Sequence, residues 1–375
     1  MIRAEQHGFS VSSVRQNYYE EERIVRKFFT TAAFAASILA SAVALAAPNP
    51  FDWQNLPKKP GQIPMVVAHT VNMEWSSHTA ILKRFTELVA IYTDNGIRGE
   101  IFPGAQLGGE REMAQQTRQG KIHVSLPATN NLATMAPSLN VFILPYIATS
   151  TDEVNYLQDK LTPILVPRVI KETNVRIVGW ENSGWRAFFY KSATPIEKPS
   201  DLAKLKMRVP PNPIMIASYK AWGGQPTPLG WTELYNALQQ GVVEGGDNPV
   251  TDVIGMKFHE VINRMTRFHY TILTHPIIVS ETWFQGLSKP YQAAVLRAGR
   301  EATDYIRWWQ PQDEENWWNQ AREAKVIITD IKDETEWITK ARAIWPEYYK
   351  TIGPDGEDLT KKALAIVAEY QKMKK

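Results

Sequence analysis

The chain contains no cysteine. This absence excludes disulfide bonds, zinc sites built from thiolates, a cysteine nucleophile and lipid attachment to an N-terminal cysteine. A large excess of charge is also missing, since the 375 residues carry a formal net charge of only +3. So balanced a charge does not favour a nucleic-acid partner, which would call for a strongly basic surface.

Short motifs for catalysis and cofactor binding are missing as well. The sequence has no P-loop, no dinucleotide-binding glycine pattern, no HExxH and no GxSxG. Its seven histidines do not fall at the spacings of metal ligands, so no metal site and no cofactor is predicted. An exported hydrolase that assembles its site from distant residues stays open as an alternative.

The N-terminal region has the pattern of an export signal. Residues 1–25 are a polar leader, and Arg26-Lys27 then precede an apolar run from Phe28 to Ala46. A positive start, an apolar core and a small-residue A-x-A end are typical of a secretory signal. The run is rich in small residues, which makes a transmembrane helix the weaker interpretation. We therefore predict that residues 1–46 are a leader and signal peptide, and that the mature protein is periplasmic.

After the signal, strand and helix patterns alternate. Met65 to Ala68 predicts a buried strand, Ser77 to Thr93 an amphipathic helix, and Ile101-Phe102 a second strand. Further along, Tyr270 to Ser280 predicts a strand that contains Pro276, and a proline in a strand indicates an edge or a crossover. The alternation predicts an α/β protein with a parallel sheet covered on both faces.

The stretch around Arg208 carries the clearest indication of function. Met207 to Val209 predicts a short strand, Pro210-Pro211 ends it, and Asn212 caps a helix that has Pro213 in its first turn. Arg208 thus lies where a strand ends and a helix begins, which is where ligands bind in open α/β sheets. An arginine fixed there suits a carboxylate, which it binds through two parallel hydrogen bonds.

A second unit follows directly. Thr232 is expected to cap a helix, Val242-Val243 to form a brief strand, and residues 244–249 to form a polar loop. Asn248 would then be a polar side chain just beyond the end of a strand.

These segments resemble the solute-binding proteins of tripartite ATP-independent periplasmic (TRAP) transporters. The matching stretches are KMRVPPNP at 206–213, TPLGWTELYNALQQGVVEGGDNP at 227–249, FPGAQLGGEREMAQQTRQGKIHVSL at 102–126, and Gly184-Trp185-Arg186. The family more often has a single glycine and a glutamine or glutamate before Asn-Pro, so Gly245-Gly246-Asp247 is a variant. The resemblance covers about residues 63–360 and keeps the motifs in the family's order.

The resemblance implies a two-lobe periplasmic-binding-protein fold of the Venus-flytrap, type II-like kind. Lobe I would contain residues 47–183 and about 274–315, and lobe II residues 184–273 and about 316–375. A long helix spanning both lobes is expected in the helical stretch 289–324. Its tryptophans are expected to serve packing: Trp308, Trp309, Trp317 and Trp318.

The resemblance also implies a ligand site between the lobes. Arg208 would hold the ligand carboxylate, Arg186 and Asn248 would hydrogen-bond the acid or its substituents, and Trp231 would form an apolar wall. For Arg186 the alternative is a salt bridge at the rim, which contributes little.

Four more polar residues are candidates with open alternatives. His275 either lines the cleft or is a packed histidine. Thr129 and Asn130 either line the cleft or cap the next helix. Glu74, if it faces the cleft, would favour a hydroxylated ligand.

The implied function is capture of a small organic acid by lobe closure and delivery to a TRAP membrane permease for ion-coupled uptake. The protein would act as a monomer, without catalysis. Two alternatives remain: an exported enzyme that acts on such an acid, and a sensor that hands its loaded form to a signalling receptor.

Overall fold

The computed structural model describes residues 58–71, 76–312 and 314–374. The predicted signal peptide and Glu74 lie outside the described residues. Among the helices that are described, none combines the length and the apolar character needed to cross a membrane.

The described residues form eleven strands and thirteen α-helices. The strands are β1 Ile63–Ala68, β2 Ile97–Phe102, β3 Val124–Ser125, β4 Val175–Trp185, β5 Ala187–Tyr190, β6 Lys206–Val209, β7 Gln225–Pro228, β8 Gly245–Asn248, β9 Arg264–Arg267, β10 Ile272–Ser280 and β11 Ile327–Asp330. The helices are α1 Ser77–Tyr92, α2 Glu110–Arg118, α3 Thr129–Leu132, α4 Thr151–Thr173, α5 Pro213–Ala221, α6 Leu234–Gln239, α7 Val250–Gly255, α8 Glu281–Gly286, α9 Lys289–Trp309, α10 Glu314–Glu323, α11 Thr335–Ala343, α12 Trp345–Ile352 and α13 Gly356–Met373.

The strands form two sheets, which confirms the predicted two-lobe α/β architecture. The predicted parallel sheet is wrong, because both sheets are mixed: β10 runs antiparallel to β3 and β4, and β5 runs antiparallel to β8 and β9. The first sheet has the order β2-β1-β3-β10-β4, and the second has the order β11-β9-β5-β8-β6-β7. The chain passes from the first sheet to the second between β4 and β5 and returns between β9 and β10. The lobe boundaries stay a prediction. Helix α13 from the predicted lobe II packs against α4 from the predicted lobe I, so this contact does not separate the two lobes.

The strand with the internal proline lies where it was expected. Pro276 of β10 pairs with Trp180 of β4, and β3 pairs with β10 only at Ile278 and Val279. Pro276 therefore lies on a part of β10 that has one partner strand among the described residues. Its missing N–H costs no ladder hydrogen bond on the open side.

The predicted helical stretch 289–324 consists of α9, a 3₁₀ turn at Gln310–Gln312, and α10. Val295 and Ala302 of α9 pack in the hydrophobic cluster of the first sheet, whereas Trp317 and Trp318 of α10 pack in a cluster of the second sheet. This helical segment thus connects the two sheets. Trp308 differs from the prediction because its side chain is 64% exposed instead of packed.

Two local predictions after Trp231 are wrong. Thr232 is not the cap of the next helix, since α6 begins at Leu234 with Glu233 as its N-cap. Val242-Val243 is not a strand, and the strand is β8, in the stretch that was predicted to be a loop. The glycines misled the prediction: a Cβ on Gly245 would lie 2.4 Å from the backbone oxygen of Phe189, so glycine serves close strand pairing here.

Candidate functional site

A cavity with an empty volume of about 330 Å³, its open mouth included, lies between elements of both sheets. Six of the predicted residues line this one cavity: Asn130, Arg186, Arg208, Trp231, Asn248 and His275.

Arg208 reaches the cavity from the end of β6. The residue is 2% exposed, and its Nε donates a 2.9 Å hydrogen bond to the backbone oxygen of Leu229. Its guanidinium carbon lies 6.0 Å from the centre of the Trp231 ring. Among the described residues, the two terminal nitrogens of Arg208 have no protein acceptor. This guanidinium is therefore anchored at one nitrogen and open at the other two.

Arg208 carries its charge at neutral pH in spite of its burial. Desolvation, and then the positive charge of Arg186, lower the pKa of Arg208 to about 10. A buried, charged and incompletely paired arginine is costly for the folded state. An anionic ligand in the cavity would relieve that cost.

The helix after Arg208 begins as the sequence predicts. The Oδ1 of Asn212 accepts hydrogen bonds from the backbone nitrogens of Ile214 and Met215 at 3.0 and 3.3 Å. Its Nδ2 donates to the backbone oxygen of Asn130 and to the Oδ1 of Asn140. Asn212 thus caps α5 and also fixes it against helix α3, which carries Asn130.

Arg186, in contrast, is already paired. It forms a buried ion pair from its Nε to the Oδ2 of Asp247, and its terminal nitrogen donates to the backbone oxygen of Asp247 at 2.5 Å and to the Oδ1 of Asn248 at 3.0 Å. The alternative of an exposed rim salt bridge is therefore wrong. Arg186 holds β8 in place and orients Asn248 at the cavity.

Two tyrosine hydroxyls complete the surroundings of Asp247. The hydroxyl of Tyr219 donates to its Oδ1 at 2.7 Å, and that of Tyr270 donates to its Oδ2. Burial alone would raise the pKa of Asp247, but the charge of Arg186 and these hydrogen bonds outweigh burial, so the pKa is lowered. Asp247 is therefore a buried carboxylate with a full set of partners, and it neutralises Arg186.

Asn248 connects this network to a second acid. Its Nδ2 donates a 3.0 Å hydrogen bond to the Oδ2 of Asp252 in α7. Burial, and then the charge of Glu181, raise the pKa of Asp252 to about 7. Near neutral pH this carboxyl group exists in both protonation states, so it offers the cavity either a donor or an acceptor.

His275 lines the cavity together with His78. The Nε2 atoms of these two histidines lie 3.1 Å apart, and the Nδ1 of His275 lies 2.6 Å from the Oε2 of Glu181. Ser183 donates to both oxygens of Glu181 at 3.0 Å. Desolvation lowers the pKa of His78 to about 3 and that of His275 to about 4. The contact with Glu181 is therefore a hydrogen bond from a neutral imidazole.

The two adjacent candidates Thr129 and Asn130 have different roles. The hydroxyl of Thr129 donates to the backbone oxygen of Thr274 at 2.8 Å, so it ties α3 to β10 and does not line the cavity. Asn130 lines the cavity and donates to the Oδ1 of Asn131 at 3.1 Å. Neither residue caps α3, whose N-cap is Ala128.

Several cavity residues were missed by the sequence analysis. Glu110 belongs to the quoted 102–126 stretch but was not a candidate, and it lines the cavity and accepts hydrogen bonds from the Nδ2 of Asn131 at 2.6 Å and the backbone nitrogen of Ala128 at 2.9 Å. His78 and Asp252 also line it. Each lies in a different helix, and no local spacing signals that they meet.

Comparison with known families gives one match that spans most of the chain. Residues 67–351 match the model of the DctP family, described as bacterial extracellular solute-binding protein, family 7. The match includes both arginines, Trp231 and Asn248.

Individual proteins agree with this match. The 2,3-diketo-L-gulonate-binding periplasmic protein YiaO of Escherichia coli is 26% identical over 287 residues, which is 76% of this chain and 87% of that protein. A TRAP periplasmic solute-binding protein of Rhodobacter sphaeroides, solved in an open ligand-free form, is 37% identical with a TM-score of 0.70, covering 82% of this chain and 99% of that one. One from Sulfurospirillum deleyianum with bound succinate is 29% identical with a TM-score of 0.74, covering 82% and 99%.

Proposed function

Since the chain belongs to the DctP family of bacterial extracellular solute-binding proteins (family 7), we propose that it captures a small organic acid between its two lobes for TRAP transport. The acid enters the cavity lined by Arg208, and closure of the lobes excludes water from the contact. Excluding water strengthens the attraction between the guanidinium and the carboxylate, because the local dielectric constant falls. The loaded protein then delivers the acid to a membrane permease.

One observation carries this proposal: the open guanidinium of Arg208. Its Nε is held by the backbone oxygen of Leu229, whereas its terminal nitrogens lack a protein acceptor among the described residues. A carboxylate fits these two nitrogens, since its two oxygens match the planar fork of arginine. The nearby Trp231 ring packs against the apolar side of the ligand.

The charges around the cavity favour a ligand with one carboxylate. The charge of Arg186 is already neutralised by Asp247, which leaves Arg208 as the available cation among the described cavity residues. Glu110 and Asp252 line the rest of the cavity and would repel a second carboxylate. Carboxylates, amides and imidazoles accept hydrogen bonds from hydroxyl groups. We therefore propose a hydroxylated monocarboxylic acid, such as a sugar acid, in preference to a dicarboxylate.

The proposal also covers export, location and release of the ligand. The signal predicted in residues 1–46 directs export and is then cleaved. The mature protein acts in the periplasm as a monomer and releases its ligand unchanged to the permease. An enzyme acting on the same acid would need a group that performs chemistry. A sensor would use the same cavity but a different membrane partner.

The test is a titration of the ligand-free protein, refolded to remove any copurified acid, with sugar acids and with succinate. At about 100 times its dissociation constant, a ligand stabilises the fold by roughly 2.7 kcal/mol, which raises the melting temperature by several degrees. We expect this shift with one or a few sugar acids, and a weaker one with succinate.

The matched variants are Arg208→Ala and Arg300→Ala. Truncating Arg208 should weaken binding by roughly 2–5 kcal/mol, because it removes the partner of a buried charge. Arg300→Ala, on the exposed face of α9, should bind as the wild type does. Unchanged affinity in Arg208→Ala would remove the proposed carboxylate site. Disappearance of the added acid during incubation would favour the enzyme instead.

A further inference from the structure

The histidine pair beside the cavity has a property that capture of an organic acid does not require. His78 and His275 come from α1 and β10, nearly 200 positions apart in the chain, yet their Nε2 atoms meet at 3.1 Å. Together with Glu181 they form a buried group of potential ligand atoms that all lie within 4.8 Å of one another. We propose that His78 and His275 bind one divalent transition-metal ion through their Nε2 atoms, with Glu181 positioning His275.

The distance between the two nitrogens fits joint coordination. Zinc binds imidazole nitrogen at about 2.0–2.1 Å, so two nitrogens 3.1 Å apart would subtend an angle of roughly 95–100° at the ion. This angle lies between the octahedral and the tetrahedral values.

The surroundings of His275 are those of a metal-binding imidazole. Its Nδ1 lies 2.6 Å from the Oε2 of Glu181, and the hydroxyl of Ser183 donates to both oxygens of that carboxylate. Metal-binding histidines usually donate their second ring N–H to such a carboxylate, which fixes the tautomer and the ring orientation. With Nδ1 protonated, the Nε2 of His275 keeps its lone pair available for an ion.

The polar groups of this region are incompletely satisfied by protein alone. The Nδ1 of His78 and both ring nitrogens of His69 are buried without a hydrogen-bond partner in the described part of the chain. The rings of His69 and His78 stack nearly parallel, with centroids 6.4 Å apart. Buried polar nitrogens without protein partners are expected where water or an ion enters a region. The proposed ion itself binds the Nε2 atoms of His78 and His275, not these nitrogens.

The chemistry of the ligands selects the class of ion. Imidazole nitrogen suits zinc, copper, nickel and iron, whereas calcium and magnesium prefer oxygen ligands. Both histidines line the cavity, so the remaining coordination positions of the ion face it. A hydroxyl or keto oxygen of a bound acid can occupy one of these positions. That coupling rests on the proposed function, whereas binding of the ion alone does not.

The competing arrangement is a hydrogen bond between the two imidazoles, with the Nε2 of His78 donating to His275 and no ion involved. A 3.1 Å separation fits this arrangement as well. Metal binding by the protein therefore decides between them.

The experiment is isothermal titration of tag-free, chelator-treated protein with Zn²⁺ and with Co²⁺. The wild type should bind one equivalent, and the same should hold for His259→Gln, which removes a half-buried histidine outside the cluster. Affinity should fall at least about 100-fold in His78→Gln and in His275→Gln, and by roughly 10–100-fold in Glu181→Gln. Excess Ca²⁺ should not compete. No binding by the wild type, or equal binding by His275→Gln, would overturn the proposal.

A second measurement needs no variant, in case the buried substitutions prevent folding. Pulsed electron paramagnetic resonance of the wild-type protein loaded with one equivalent of Cu²⁺ should show coupling to two imidazole rings. Coupling to one ring or none would contradict the assigned pair. Zinc binding without any sugar-acid binding would support the metal site while removing the proposed function, so the two failures are distinguishable.

Discussion

Two buried arginines of this protein differ in whether a carboxylate neutralises them. Arg186 and Arg208 are each 2% exposed. Asp247 neutralises Arg186 within a network that includes Tyr219, whereas the terminal nitrogens of Arg208 stay open among the described residues. The residue type thus indicates a possible anion contact, but the partner from a neighbouring strand decides which arginine is available.

The stability of the protein should depend on pH through the carboxyl group of Asp252. Its pKa rises to about 7 on folding, so between about pH 4 and 7 the folded chain holds a proton that the unfolded chain has lost. The free energy of unfolding therefore falls with rising pH over this interval, by up to roughly 1.4 kcal/mol per pH unit from this group. Asp252→Asn, which resembles the protonated acid, should match the wild type near pH 4 and exceed its stability near pH 8.

The measurement is urea unfolding of both proteins from pH 4 to 8. Charged groups that act on Asp252 are Glu181, Arg186 and Glu110, and all are kept in the variant. Asp304→Asn, on the exposed face of α9, controls for removal of a carboxylate elsewhere. A stability difference that is the same at every pH would contradict the raised pKa.

At the scale of elements, helix α5 shows what local sequence can specify. Asn212 followed by Pro213 predicts a helix start, and the side chain of Asn212 caps the helix in the structure. Strand β8 shows the opposite case. Its Gly-Gly-Asp-Asn sequence is typical of a loop, but tight pairing with Phe189 and Tyr190 of β5 makes it a strand.

The cap of α5 is open to a direct test. Asn212→Ala removes two capping hydrogen bonds and the two bonds to Asn130 and Asn140. Loss of a cap alone costs about 1 kcal/mol, and the buried acceptors left unpaired should bring the loss of unfolding free energy to roughly 2–4 kcal/mol. Ser288→Ala is the matched control, because Ser288 is the N-cap of α9 but makes no capping bond through its side chain. Chemical denaturation of both variants compares them, and equal losses would show that the bonds of Asn212 contribute nothing special.

In the part of the chain that the structure describes, the two sheets share a hydrophobic cluster. Ile177 and Ile278 of the first sheet belong to the same cluster as Phe188 and Met207 of the second. Trp222 adds edge-on aromatic contacts with Phe268 and Tyr270, and its Nε1 donates to the backbone oxygen of Trp337 at 3.0 Å. The lobes therefore share packing as well as chain crossings.

We predict from this shared cluster that the ligand-free protein unfolds in one cooperative transition. Exposing the face of one sheet also exposes the residues that pack against it from the other, so neither lobe keeps a complete core alone. Far-UV circular dichroism and tryptophan fluorescence should give the same denaturation midpoint. Two separate midpoints would mean that each lobe folds independently, and the cluster would then be a contact surface between them.

The sequence by itself determined the α/β class, the cap of α5 and the position of Arg208 at the end of a strand, because these depend on local propensity and on motifs whose residues are neighbours in the chain. It also indicated Trp231 and Asn248, which lie in the same motif. Only the tertiary structure decided that Asp247 neutralises Arg186, that Thr129 lies behind the cavity, and that His78 meets His275. These contacts join residues from separate strands and helices, and no local pattern encodes which distant side chains burial will bring together.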